Sequence, residues 1–257
     1  MNWYMVISQR FSFFCCLALL LISTNGWAQQ QAGTSIRFDT CRYFDLARNR
    51  EIPVAIYQPT SHTTLQVVIF SHGYGQNQPD TYLHYTYLTE FLARRGYYVV
   101  SIQHDLPTDS IIPASGIPQV VRRPFWEQGA DNILFVLNEL KKRQPDLDFN
   151  HTTLIGHSNG GDITALFAQK FPNLVSKIIT LDNRRMPLPR TMHPGVYSLR
   201  SSDQPADEGV LPTAAEAVAN KIRILKLPHT NHNDMDDRAD GRQRKEIQDK
   251  LLSFLRQ

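Results

Sequence analysis

Apolar and polar positions follow two different periods along this chain, and the switching between them sets the expected architecture. Leu65–Phe70 (LQVVIF) and Tyr97–Ile102 (YYVVSI) are short runs rich in β-branched residues with little polar interruption. Runs of that kind are strands buried on both faces of a sheet. Thr152–Ile155, Lys177–Leu181, Val196–Arg200 and Ile222–Leu227 read the same way. Between them lie stretches read as helices: about Asp80–Arg95, Phe125–Arg143, Asn159–Phe171, Thr213–Asn220 and Arg242–Leu255. The last has apolar residues at 247, 251, 252, 254 and 255, one stripe of a helix. Pro124 suits the first turn of the second helix, where its missing N–H costs nothing. Ser35–Phe44 and Glu51–Tyr57 flank the polar stretch Ala47-Arg48-Asn49-Arg50 and read as a hairpin. Strands alternating with helices make crossover units. The expected fold class is therefore α/β, with a mostly parallel central sheet and helices on both faces. Pro107–Pro124 has no period and is the longest expected loop. No linker interrupts residues 29–257, which are expected to form one domain.

The first 28 residues stand apart from this pattern. Arg10 precedes an apolar run, Phe11–Ile22, of about 12 residues, too short to span a bilayer as a helix. Gly26 and Ala28 then place small residues where a signal peptidase reads them. Residues 1–28 are expected to be a secretory signal peptide cleaved after Ala28, leaving an exported, periplasmic or extracellular chain. Cys15 and Cys16 sit inside the run rather than at its end, so no lipid anchor is expected. The mature chain keeps only Cys41, which cannot form an internal disulfide. No second run is long enough to span a membrane, so no membrane anchor is expected.

Composition excludes other classes. With 42% hydrophobic and 20% charged residues, the chain carries no disordered or fibrous bias. Lys and Arg number 27 against 24 acidic residues, a formal +3, and the charges are mixed along the chain. No nucleic-acid partner is expected, because that requires basic residues gathered on one face.

The chemistry lies where a buried strand meets a helix. Leu154-Ile155-Gly156-His157-Ser158-Asn159-Gly160-Gly161 is G-x-S-x-G with a further Gly. In this strand–turn–helix context the glycines permit a sharp turn that lifts the serine hydroxyl above the sheet. Ser158 is the candidate nucleophile. Upstream, LQVVIF runs into Ser71-His72-Gly73-Tyr74-Gly75. In such an architecture one oxyanion-hole N–H comes from this loop and the other from the residue after the nucleophile. The candidates are the backbone N–H groups of Tyr74 and Asn159. His72 and His157 are read as loop-bracing imidazoles rather than as bases.

These residues resemble the α/β-hydrolase superfamily. Within it the chain is similar to platelet-activating-factor acetylhydrolase-like and dienelactone-hydrolase-like members. The likeness rests on Arg48-Asn49-Arg50-Glu51-Ile52-Pro53-Val54 in the hairpin, on SHGYG after the third strand and on GHSNGG after the fifth. It spans essentially the whole mature chain and implies ester hydrolysis through a Ser–His–Asp triad and an acyl-enzyme.

The base and the acid follow the nucleophile in chain order, acid first. Strand Ile222–Leu227 is followed by His229-Thr230-Asn231-His232-Asn233-Asp234. His232 is favoured as the base because its N-H-N-D context resembles related hydrolases; His229 lies too close to the strand end. Two acids stay open. Asp182 ends KIITLD, the acetylhydrolase-like position, and is preferred. Asp203 follows VYSLRSS, the dienelactone-hydrolase-like position. Both stand at carboxyl ends of strands, where α/β sites are built.

No cofactor and no metal is expected. Asp234, Asp236, Asp237 and Asp240 cluster beside His232 and are read as a polar turn in preference to a calcium site. Few residues separate the sixth and seventh strands, so no large cap domain fits. The expected substrate is a small-molecule ester, small or short-chain, and a monomer is expected. Ile111, Ile112, Ile117 and Val120 in the long loop have two readings, an acyl pocket or plain packing. Arg184, Arg185 and Arg190 have two as well, an anionic contact or a solvated face. Amide or peptide hydrolysis on the same triad, and a non-catalytic binding protein on this fold, remain as alternatives.

Overall fold

The computed structural model describes Met1, residues 34–60 and residues 65–257; residues 2–28 of the expected export segment lie outside them. The chain divides into Met1–Ala32 and Gly33–Gln257, and the second unit holds every element below.

Strand β1 (Ile36–Asp45) turns back antiparallel onto β2 (Arg50–Pro59). The Asp45 carboxylate closes the turn by accepting the N–H groups of Ala47 and Arg48, and Asn49 takes the left-handed backbone that asparagine tolerates. β2 then pairs antiparallel with β4 (Tyr97–Ile102). The remaining strands are parallel: β3 (Gln66–Ser71), β5 (Asp148–His157), β6 (Lys177–Leu181), β7 (Gly195–Arg200) and β8 (Arg223–Lys226). The order across the sheet is β1-β2-β4-β3-β5-β6-β7-β8. Six of the eight strands are parallel, as the alternating pattern requires.

The fully apolar strands are apolar because they serve two cores. Val67 and Ile69 of β3 pack into one layer, Val68 and Phe70 into the other. Helices α3 (Arg123–Arg143) and α4 (Asn159–Lys170) cover the first face with Trp126, Ile133, Leu137, Ile163 and Phe167. Helices α1 (Thr86–Ala93) and α6 (Gly241–Leu255) cover the second with Leu88, Leu92, Ile247, Leu251 and Phe254. Two further short helices, α2 (Pro118–Val121) and α5 (Ala214–Ala219), lie at the margins.

Several boundaries differ from the sequence reading. The helix expected over 80–95 is broken into a 3-10 turn, Thr81–Leu83, and α1. Tyr85 stands between them in non-helical backbone, and its hydroxyl takes the N–H of Gly73. Part of the expected 107–124 loop is the helical turn α2, begun by Pro118. The acidic cluster is largely accounted for by capping and pairing. Asp237 accepts the N–H groups of Thr86 and Tyr87 and so caps α1 from the far end of the chain. Asp240 caps α6 in a reciprocal box with Gln243, and Asp236 pairs with Arg238. Residues 182–194, between β6 and β7, contain no helix, so no cap covers the sheet there. Among the described residues no helix is long and apolar enough to cross a membrane.

The register of α6 gives a stability test. Leu251 is fully buried while its neighbour Leu252 is only partly covered. Leu251→Ala should cost about 2–5 kcal/mol in denaturant unfolding, and Leu252→Ala less than half of that. Equal losses would mean that another face of the helix meets the sheet.

Candidate active site

The site is built at the carboxyl edge of the parallel strands. β5 ends at His157, α4 begins at Asn159, and Ser158 between them is held at φ 52°, ψ −117°. A side chain pays for positive φ, and the surroundings over-determine the turn. Ser158 N–H donates to Leu181 O at 2.9 Å, and Ser158 O accepts from Asp162 N at 3.0 Å. The glycines are needed for close approach. A Cβ on Gly156 would lie 2.2 Å from Gly160 O, and one on Gly160 would lie 2.2 Å from Ser71 O. The elbow is thus pressed backbone to backbone against the end of β3.

Ser158 Oγ lies 2.9 Å from His232 Nε2, and His232 Nδ1 lies 2.6 Å from Asp182 Oδ2. His232 opens a 3-10 turn after β8 and is buried, whereas His229 is exposed and contributes only its carbonyl, to Gln243. Asp182 is fully buried at the end of β6. Burial pushes its carboxyl up, yet the hydrogen bond from His232, the Arg200 charge and two hydrogen bonds from Ser201 together hold it below the usual carboxylate range. Ser201 N–H and Oγ–H donate at 3.0 and 2.7 Å, and an Arg200 guanidinium nitrogen stands 2.9 Å away. Asp203, the other candidate, is exposed and accepts the backbone N–H of His232 at 2.7 Å. The structure therefore brings Asp182 to the imidazole and Asp203 to the main chain that carries it.

A buried chain of bonds fixes His232 from below. Gly73 N–H donates to the Tyr85 hydroxyl at 3.0 Å, and Tyr85 O–H donates to His157 Nδ1 at 2.8 Å. His157 Nε2–H then donates to His232 O at 3.0 Å. A carbonyl can only accept, so this network assigns His157 the neutral Nε2–H tautomer. Burial and the neighbouring His232 push the His157 pKa down to about 3, which keeps it neutral. His72 is buried in the same manner. Its Nδ1–H donates to Gly73 O at 2.6 Å, and its Nε2 accepts from His104 N at 3.0 Å. Burial lowers its pKa to about 4. Both histidines brace loops.

Ser158 opens into a cavity of about 580 Å³ whose walls include Tyr74, Tyr85, His84 and Arg238 besides Ser158 and His232. Among the described residues the backbone N–H groups of Tyr74 and Asn159 have no acceptor. The side chain of Asn159 is fixed by Trp126 Nε1–H at 2.9 Å. Ile111, Ile117 and Val120 are exposed, and Ile112 is buried with its N–H on the Tyr74 hydroxyl; none lines this cavity. Tyr85, Ser201, Arg200 and Trp126 escape sequence reasoning. Each acts through a tertiary contact, and no local motif marks it.

Comparison with known proteins places this geometry on a known fold. No family model matches the chain. Residues covering 48% of the chain are 25% identical to a "Probable serine hydrolase" of Drosophila melanogaster, and the match takes in 38% of that protein's length. Among solved structures, a hyperthermophilic esterase from Pyrobaculum calidifontis superposes with a TM-score of 0.63 at 16% identity, covering 85% of this chain and 82% of that one. Esterases from Rhizomucor miehei give 0.63 at 13% identity, covering 88% and 84%. A dienelactone hydrolase-like phosphotriesterase from metagenomic libraries gives 0.64 at 14% identity, covering 85% and 97%. The chain has the α/β-hydrolase fold.

Proposed function

We propose that this protein is a serine hydrolase of small or short-chain carboxylic esters, acting through Ser158, His232 and Asp182. The observation that carries the reading is the continuous line of hydrogen-bonded groups from Ser158 Oγ through His232 to the buried Asp182, opening on a solvent-reachable cavity. Nucleophile, base and orienting acid in this mutual geometry are the requirements of acyl transfer. The fold is also that of esterases.

In the first step Ser158 Oγ attacks the acyl carbonyl and His232 Nε2 takes its proton. Asp182, kept ionised by its partners, holds Nδ1–H and stabilises the imidazolium. The N–H groups of Tyr74 and Asn159 bind the oxyanion, a contribution of about 3 kcal/mol per donor in comparable sites. The imidazolium then protonates the departing alcohol. A water, deprotonated by His232, cleaves the acyl-enzyme and returns the proton to Ser158. The uncapped edge between β6 and β7 supports small substrates in free solution, since residues 182–194 form no helix that would have to open on an oil interface.

4-Nitrophenyl esters test which carboxylate is the acid. Asp182→Asn should lose on the order of 10⁴ in kcat, by analogy with that substitution in a serine protease triad. Asp203→Asn should cost far less, since its carboxylate holds only a backbone N–H. The rate on the unaltered protein should fall with acyl length beyond a few carbons. A large loss at 203 with an active Asp182→Asn enzyme would move the acid to β7.

The reading also includes export, which rests on Arg10, the apolar run 11–22 and the small residues Gly26 and Ala28. Mass spectrometry of the exported chain should find Gln29 at its N-terminus. An intact Met1 on active cytosolic protein would contradict it.

A further inference from the structure

The central sheet has two edges, and they are built differently. β8 is a short strand that begins at Arg223 and ends at Lys226, with Lys221 just before it. Shortness and like charge keep another strand from adding to such an edge. β1, at the opposite edge, is ten residues long, and among the described residues it pairs with β2 alone. It carries Phe38 and Phe44, each 52% exposed, and Leu46 in the turn beyond it is 85% exposed. A long edge with exposed apolar side chains is a template for a further strand.

The backbone of β1 shows which groups that strand would meet. Thr60 N–H donates to Ser35 O, which sets the phase of the β1–β2 ladder. Alternate residues of an antiparallel strand bond the same neighbour. The odd-numbered residues of β1 therefore face β2, and Ile36, Phe38, Thr40, Arg42 and Phe44 turn their N–H and C=O groups outward. Pro59 and Pro53, which have no N–H to give, stand opposite Ile36 and Arg42, in agreement. The outward N–H of Thr40 rests on the Asp39 carboxylate at 2.9 Å, a contact that an incoming carbonyl would replace.

We propose that two copies of this chain associate through their β1 edges, antiparallel about a two-fold axis at Cys41, into one continuous sheet. A two-fold contact of this kind is self-complementary and closes at two copies. Outward groups must meet outward groups, so the registers that overlap furthest put either Thr40 or Cys41 on the axis. One step beyond either, Asp39 would face Asp39 or Arg42 would face Arg42, and like charges directly opposite are unfavourable. With Thr40 on the axis, Phe38 meets Arg42 and the two Asp39 carboxylates share a diagonal. With Cys41 on the axis, Phe38 of each copy meets Phe44 of the other and Arg37 stands opposite Asp45. The two Arg42 residues then share the diagonal, but each is already paired with its own Glu51. Apolar matching and charge both select the Cys41 register. The sequence reading expects a monomer, because an unpaired edge is invisible until the fold shows which strand ends the sheet.

Sedimentation and cross-linking of the purified full chain test this. In reducing buffer the protein should sediment as a dimer at micromolar concentration. The register brings the two Cys41 Cα atoms to about 4.5 Å as a non-hydrogen-bonded pair, within reach of a disulfide. Diamide, which takes two electrons and two protons from a pair of thiols, should therefore join the copies, and peptide mapping should find Cys41 bridged to Cys41. Cys41→Ser should dimerise as before and form no bridge at that position. Phe44→Lys alters an exposed side chain and should weaken the dimer about tenfold or more, with the circular dichroism of the unaltered protein. Thr40→Pro should separate the copies too, since the N–H it removes belongs to the new ladder and not to the bonds with β2. If Thr40→Pro does not fold, Phe44→Lys decides alone. A dimer as tight in Phe44→Lys as in the unaltered protein, or one that diamide does not bridge at Cys41, overturns the proposal. So does a monomer; if its Cys41 also resists a soluble thiol reagent, another segment of the same chain holds the edge.

Discussion

The 2.6 Å hydrogen bond from His232 Nδ1–H to the buried Asp182 carboxylate fixes the geometry at the carboxyl edge of the sheet. An ionised carboxylate with no exposed surface is tolerable only when its lone pairs are filled. Here they are filled by His232, by both donors of Ser201 and by the charge of Arg200. The imidazole cannot leave without stranding that charge, so it stays aimed at Ser158. The same constraint explains why His232 is held at three points. Its ring bonds Asp182, its N–H bonds Asp203 and its carbonyl accepts from His157.

Two strained backbones carry this arrangement, and both are anchored in the sheet. Ser158 and Asp182 each sit at positive φ, where non-glycine residues are uncommon. Their N–H groups are tied to carbonyls of the next strand: Ser158 to Leu181, and Asp182 to Leu199. The sheet's parallel register therefore places Ser158 and Asp182 in adjacent steps along one edge. The two hydrophobic layers hold that register from both faces. Strain at the edge is offset by burial in the middle.

Sequence reasoning reached as far as local pattern reaches. β4 and β6 have the bounds their apolar runs suggest, and the first and last strands differ by only a residue or two. β5 extends well before its apolar stretch because Asp148, Asn150 and His151 are polar at the sheet's open end. The elbow at Ser158 is legible because its glycines and its serine are neighbours in the chain. The choice between Asp182 and Asp203 is not legible, since both stand at strand ends and only the fold decides which one meets a ring nitrogen. Tyr85 and Ser201 are silent for the same reason. Asp237 reads as one more acid in a charged loop, yet it caps a helix 150 residues away.

Covalent labelling tests whether Ser158 is a nucleophile activated by His232, without any assumption about substrate. A fluorophosphonate should attach to one serine of the folded protein, and peptide mapping should find the adduct on Ser158. Ser158→Ala should abolish labelling while melting as the unaltered protein does. Undiminished labelling of Ser158→Ala, or an adduct mapped to any other residue, would contradict that role for Ser158.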